Sequence, residues 1–323
     1  MTDERDALPM KPRAISGGSL QEADLPATSD VAWRAKADRT ESPFALGVRR
    51  LRRSTTALIG AVIVAVLLVV ALFADVLAPQ SPIVSDQTHT FERPGWDYPL
   101  GTDQLGRDML SRVIHGSRIS LAVGVSSVLL ALFVGVPFGM IAGYYGGRAD
   151  SIIMRAMDLI LAFPIYLLAI ILMVIFAPTA GIIGTMKVTG AIAIVRIPIY
   201  ARLVRGSVLS IKEKEYIEAC RAVGVRDPWI LLRHVLPNCL APIIVTTTLG
   251  IATSIIVEAT LSFLGLGTQP PTPSWGWDLK ANVAFIQSNP WISLFPGIAI
   301  FVTVLGFNLF GDGLRDALDP RLK

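Results

Sequence analysis

An all-α membrane protein with six transmembrane helices is what this sequence predicts, on three observations. Of its 323 residues, 52% are hydrophobic and 17% charged, with a mean hydropathy of +0.57; a soluble domain carries about 25% charged residues. Six apolar runs each reach the roughly 20 residues that a helix needs to cross a bilayer. The remaining charges collect mostly between those runs.

Residues 1–43 are polar, charged and rich in Ser, Pro and Ala. They have no apolar core of a signal peptide and cannot bury enough surface to fold alone, so a disordered cytosolic tail is expected. The six-helix domain then occupies 44–323. Its spans are expected at about 54–78, 118–143, 152–177, 181–205, 239–264 and 291–311. Lys187 and Arg196 interrupt the fourth.

Orientation follows from the Lys and Arg content of the flanks. Arg49, Arg50, Arg52 and Arg53 precede the first span. The loop between the fourth and fifth carries Arg202, Arg205, Lys212, Lys214, Arg221, Arg226 and Arg233, whereas the loop between the fifth and sixth carries only Lys280. Both termini and the basic loop are therefore expected inside. The loop at 79–117 opposes the rule with Arg93, Arg107 and Arg112, offset by Asp86, Glu92, Asp97, Asp103 and Asp108; it is placed outside. The net charge of +4 fits basic cytoplasmic loops better than nucleic-acid binding, for which no matching fold is legible. Cys220 and Cys239 lack metal spacing and fall on the expected cytosolic side, where a structural disulfide is not expected.

Within the spans, Gly135, Gly139, Gly143 and Gly147 recur every four residues and form a groove that another helix backbone can approach; packing inside the subunit is favoured over contact with a partner. Pro137, Pro164, Pro198 and Pro296 are expected to kink helices. Lys187 lies about 9 Å from the outer end at roughly 1.5 Å per residue and can snorkel. Arg196 is deeper, and lining a path, meeting a substrate carboxylate or pairing with an acid stand as alternatives. Glu258 lies near the outer end of the fifth span, where structural pairing is favoured. Arg155 and Asp158 read as a pair within one helix. The loop at 264–290, with Trp275 and Trp277, reads as interfacial anchoring, with docking of a binding protein as the alternative.

The stretch Glu215-Tyr-Ile-Glu-Ala-Cys-Arg-Ala-Val-Gly224, running on to Leu236-Pro237, carries the function. A short helix over Lys212–Val223 is expected to stop at Gly224. Asp227 as N-cap and Pro228 in the first turn restart a helix that ends at Pro237. Glu213, Glu215 and Glu218 disfavour a helix lying on an anionic bilayer, so a protein docking partner fits better.

Glu218-Ala219-Cys220, Gly224 and Leu236-Pro237 resemble the EAA loop of ABC-importer permeases, with Cys220 in place of the second alanine. Pro99–Asp108, Glu258–Gly267, Pro270–Gly276 and Phe307–Pro320 are similar to the C-type permease of dipeptide and oligopeptide importers, a likeness covering about 45–323. The resemblance implies a type I ABC-importer permease fold in the inner membrane of a prokaryote. It implies a coupling loop over 206–238 whose helix docks on a cytosolic ATPase through Glu215, Tyr216, Glu218, Ala219, Cys220, Gly224, Leu236 and Pro237. It also implies one or two ATPase subunits holding ATP and Mg, a second, B-type permease, an extracytoplasmic binding protein and a peptide substrate, with membrane lipid around the bundle. The chain itself has no phosphate loop, metal cluster or nucleophile elbow, so neither enzyme nor cofactor is expected in it. Arg196, Glu258 and Lys187 are the candidates for the translocation path. The alternatives are the same importer carrying a nickel chelate, haem or another small solute, and an ion-coupled secondary carrier.

Overall fold

The computed structural model describes Leu51, Arg52 and residues 54–318; the tail expected over 1–43 lies outside the described residues. Ser54 opens α1 (Thr55–Leu72), its hydroxyl accepting the Ala57 N–H. This helix is apolar on every side and leaves Leu58, Val62, Val66, Val69 and Leu72 exposed, the pattern of a helix whose surroundings are lipid. A short α2 (Ala74–Leu77) follows.

Asp108 caps α3 (Met109–Tyr145), its carboxylate accepting from Ser111 N at 2.8 Å. The helix starts nine residues ahead of the expected 118. Hydropathy misses that extension because it is polar and buried by another loop rather than by lipid: Trp275 packs against Gly116 and donates its indole N–H to Val113 O at 2.8 Å.

The third span is not one helix. It is broken into α4 (Gly147–Leu161) and α5 (Ile165–Phe176), which meet at 88°. Pro164 is the cause, since it disfavours helical geometry at Phe163 and has no N–H to continue the ladder. α5 alone covers about 18 Å at 1.5 Å per residue, short of a hydrocarbon core of about 30 Å. Asp158 of α4 bonds Arg202 of the helix after α5, so the expected Arg155–Asp158 pair is replaced by a tie between helices.

α6 (Gly181–Lys212) is one continuous helix through Lys187, Arg196 and Pro198. It packs along α3 because Gly135, Gly139 and Gly143 present bare backbone. A Cβ at Gly139 would stand 2.5 Å from Ala201 O, and one at Gly143 2.8 Å from Val208 Cβ. Three glycines of the stripe thus serve packing inside the chain; Gly147 starts α4 and faces open space.

After α6 come α7 (Glu215–Ala222), α8 (Asp227–Ile230), a π-helical turn over Leu231–Val235 and α9 (Leu236–Phe263). Two expectations change. Lys212 ends α6 instead of starting the short helix, and the second helix does not stop at Pro237 but runs through the π turn into the fifth span. Pro237 is tolerated in the first turn of α9, where a missing N–H costs nothing. The connecting segment is therefore 213–235, inside the expected 206–238. α10 (Trp275–Asn282) and α11 (Trp291–Leu318) complete the chain. No strand occurs among the described residues; five helices are long and apolar enough to cross a membrane, or six spans if the bent α4–α5 pair counts as one.

Candidate functional site

An eight-residue helix has little stability of its own, so α7 must be held by what it packs on. Ile217, fully buried, enters a cluster with Val136, Met140 and Tyr144 of α3, Val204, Val208 and Ile211 of α6, and Ile230, Val235 and Cys239 beyond. Cys220 and Val225 are half-buried against the same cluster. Gly224, with φ +78°, closes the helix: its N–H reaches Arg221 O at 2.9 Å and the Val225 N–H reaches Cys220 O at 3.0 Å, a Schellman stop.

Sequence reading missed the tie that fixes the next turn. The Tyr144 hydroxyl donates to Asp227 Oδ1 at 2.7 Å, and the Arg221 guanidinium stands 4.9 Å over the Tyr144 ring with its Nε 3.4 Å from the hydroxyl. Asp227 therefore receives a tyrosine instead of capping its own helix, which begins after Arg226 without a side-chain cap. The Tyr144 hydrogen bond raises Arg221 above its ordinary pKa. Only the adjacency of Tyr144-Tyr145 to the glycine stripe hinted at this role.

Buried Ile217 leaves the other faces of α7 outward. Glu215, Tyr216, Glu218, Ala219, Arg221 and Val223 are exposed, Val223 at 79% and Tyr216 at 40%, and Trp229 and Leu232 on the following turns are exposed as well. The Tyr216 hydroxyl lies 3.4 Å from Asn238 Nδ2. Leu236 is half-buried against the cluster and Pro237 exposed. Glu215 and Glu218 sit in the first turn, where the helix dipole favours them. The result is a fixed ridge of apolar side chains edged with charge.

The other candidates lie elsewhere. Lys187 reaches out to donate to Ala177 O at 3.0 Å. Glu258 is fully enclosed between α3 and α9 and accepts from Ser120 Oγ at 3.0 Å and Ser262 Oγ at 2.8 Å, so it meets neither water nor a cation. Arg196 is 8% exposed and bonds Thr253 of α9. None of the three touches α7.

At the opposite end of α3, Arg112 is buried against Asp278 of α10, with Nε to Oδ1 at 2.8 Å, and donates Nη1 to Pro82 O at 2.9 Å. Arg107 pairs with Asp103 at 2.6 Å. Trp275, expected at an interface, is 1% exposed and belongs to the core; its eight-residue helix is folded onto α3 and α9. Trp277 lies beneath the Lys280 ammonium, 4.6 Å from the ring centroid.

A bundle of apolar spans with a short, seated helix at one end is the architecture of a polytopic membrane protein. The chain belongs to the binding-protein-dependent transport system inner membrane component family, which matches residues 135–323, while residues 42–94 match the N-terminal TM domain of oligopeptide transport permease C. It is 44% identical over 282 residues to the dipeptide transport system permease protein DppC of Alkalihalophilus pseudofirmus, covering 87% of this chain and 91% of that one. It is 46% identical over 276 residues to the glutathione transport system permease protein GsiD of Pectobacterium atrosepticum, covering 85% and 90%. Among solved structures, an inward-facing form of the MetNI methionine ABC transporter superposes with a TM-score of 0.53 at 19% identity, covering 65% of this chain and 98% of that one. The chain is thus a multi-pass permease subunit of an ABC importer, and the ion-coupled carrier is set aside.

Proposed function

We propose that this chain forms half of the translocation path of an ATP-driven importer of di- and oligopeptides and couples to ATPase subunits through α7. The carrying observation is the fixed ridge: Ile217 and the Gly224 stop hold α7 to α3 and α6 while Tyr216, Glu218, Ala219 and Val223 stay outward. A helix seated this way transmits a push that a loose loop would absorb. The dipeptide and glutathione names of the relatives support a peptide cargo over a nickel chelate or haem. ATP and Mg would be held by one or two partner ATPases, a B-type permease would supply the other half of the path, and an extracytoplasmic binding protein would deliver the solute.

Burial of Arg107 and Arg112 in ion pairs supports the inward placement of both termini. Those charges are neutralised within the 79–117 region and its α10 cover, which leaves the basic segment between α6 and α9 as the positive side. The domain over 44–323 and the tail over 1–43 remain the proposed division.

Ala219→Trp with Glu218→Lys tests the docking face without touching Ile217. In the co-expressed transporter these changes are expected to abolish co-purification of the ATPases and ATP-dependent peptide uptake. Full uptake with retained ATPases would show that α7 is not the docking element.

A further inference from the structure

Arg196 stands midway along α6, about 22 Å from Gly181 and about 24 Å from Lys212 at roughly 1.5 Å per residue, within an apolar span where an ionised side chain is costly. Among the described residues no carboxylate lies within ion-pair distance of it; its ionisable neighbours are the phenols Tyr200 and Tyr166. Of the five guanidinium N–H donors, one bond is made, from Nη2 to Thr253 Oγ1. Thr253 is exposed on α9, so the guanidinium is buried but its one partner reaches the surface of the subunit.

Tyr200 is fully buried, one turn from Arg196, and its Oη lies beside the buried Thr247 Oγ1 without a well-formed hydrogen bond. Gly250 lets the Tyr200 hydroxyl and the Arg196 guanidinium both come close to the α9 backbone. A Cβ there would stand 2.9 Å from Tyr200 Oη and 3.2 Å from Arg196 Nη1. A cation without a counter-ion is costly in an apolar bundle, and the Tyr200 hydroxyl beside it is poorly bonded by Thr247. One ligand satisfies both: a carboxylate, which takes guanidinium N–H groups as a fork and a hydroxyl alongside.

We propose that Arg196, Tyr200 and Thr253 form a station for the free carboxylate of the transported solute, over the bare backbone of Gly250. For a peptide cargo that group is the C-terminal carboxylate. This rests on the peptide-importer reading and adds to it a recognition site within the permease, separate from the binding protein and from α7.

The test uses the complete transporter in proteoliposomes, with its binding protein saturated by trialanine or by trialanine amide. Wild type is expected to carry the acid faster than the amide. Arg196→Gln keeps a donor for Thr253 but removes the charge, and is expected to lower trialanine uptake by about 10- to 100-fold, the loss of a charged hydrogen bond, leaving any amide uptake unchanged. Gly250→Ala, which presses a methyl against Tyr200 Oη and Arg196 Nη1 while removing neither group, is expected to lower trialanine uptake as well. Equal uptake of acid and amide by wild type overturns the station. So does unchanged trialanine uptake in Arg196→Gln, equal loss of both probes, or failure of that variant to assemble with the partner permease, which would make the charge an interface group. A wild type that carries neither probe overturns the peptide reading itself, and the station with it.

Discussion

Replacing Ile217 by Ala isolates the seating of α7 from its outward face. Ile217 is the one fully buried residue of that helix. Its Cγ and Cδ carbons fill a cluster contributed by α3, α6 and the turn before α9. Large-to-small changes at such sites cost about 2–5 kcal/mol, and the lower part of that range applies here because a rim next to water can collapse. A cost of about 2–3 kcal/mol shifts the balance between seated and unseated α7 by about 30- to 150-fold. The readout is hydrogen exchange of the Val223, Gly224 and Val225 amides, which are held by Ala219 O, Arg221 O and Cys220 O. In the assembled transporter their protection is expected to fall by that factor, and uptake per ATP hydrolysed to fall with it. Glu218→Ala, on the exposed face, is expected to weaken coupling with protection unchanged. Wild-type protection in Ile217→Ala would refute the claim that this side chain holds the helix.

Gly224→Ala meets no steric obstacle, since the surrounding space is open, but φ +78° strains any residue with a Cβ; it is expected to cost about 1–2 kcal/mol, read by the same exchange, with Gly224→Asn milder. Gly139→Leu drives a side chain into the α6 backbone and is expected to destabilise the purified subunit by about 1–3 kcal/mol of overpacking, read as a lower melting temperature. Gly190→Ala, on the open side of α6, is expected to be neutral or stabilising by up to about 1 kcal/mol in the same measurement. Arg112→Ala and Asp278→Ala each strand a buried charge and are expected to cost about 3–5 kcal/mol, whereas the double variant is expected to cost less than their sum; additive losses would show that the two side chains do not act as a pair.

The spans were legible because lipid contact demands long apolar runs, and Gly224 because a left-handed stop has few alternatives. What hydropathy could not see was structure stabilised by other parts of the protein. Residues 109–117 look like loop by polarity, yet Asp108 caps them and Trp275 and Asp278 bury them. The break at Ala162–Pro164 was hidden because both sides are apolar enough to join into one run. Asp227 carried a capping signature that Tyr144, 83 positions away, overrode. Arg196 and Glu258 were distinguished in the sequence by depth, not by their partners. Their difference, two serine donors around one and no carboxylate beside the other, depends on which helices become neighbours.

The same chain geometry links the two proposed sites. α6 carries Arg196 and Tyr200 and ends at Lys212, two residues before α7. α9 carries Gly250 and Thr253 and continues, through the π turn, from the segment after α7. Each connecting helix has a proline at or beside its share of the station: Pro198 in α6 and Pro242 in α9. A proline removes one rung of the helix ladder and makes bending local. Displacement of α7 would therefore concentrate bending at these two points. Pro198 falls between Arg196 and Tyr200, and Pro242 lies on the α7 side of Gly250 and Thr253. Bending at Pro198 changes the separation of the guanidinium and the phenol hydroxyl directly, so a push on the outward face of α7 would open or close the grip on a carboxylate.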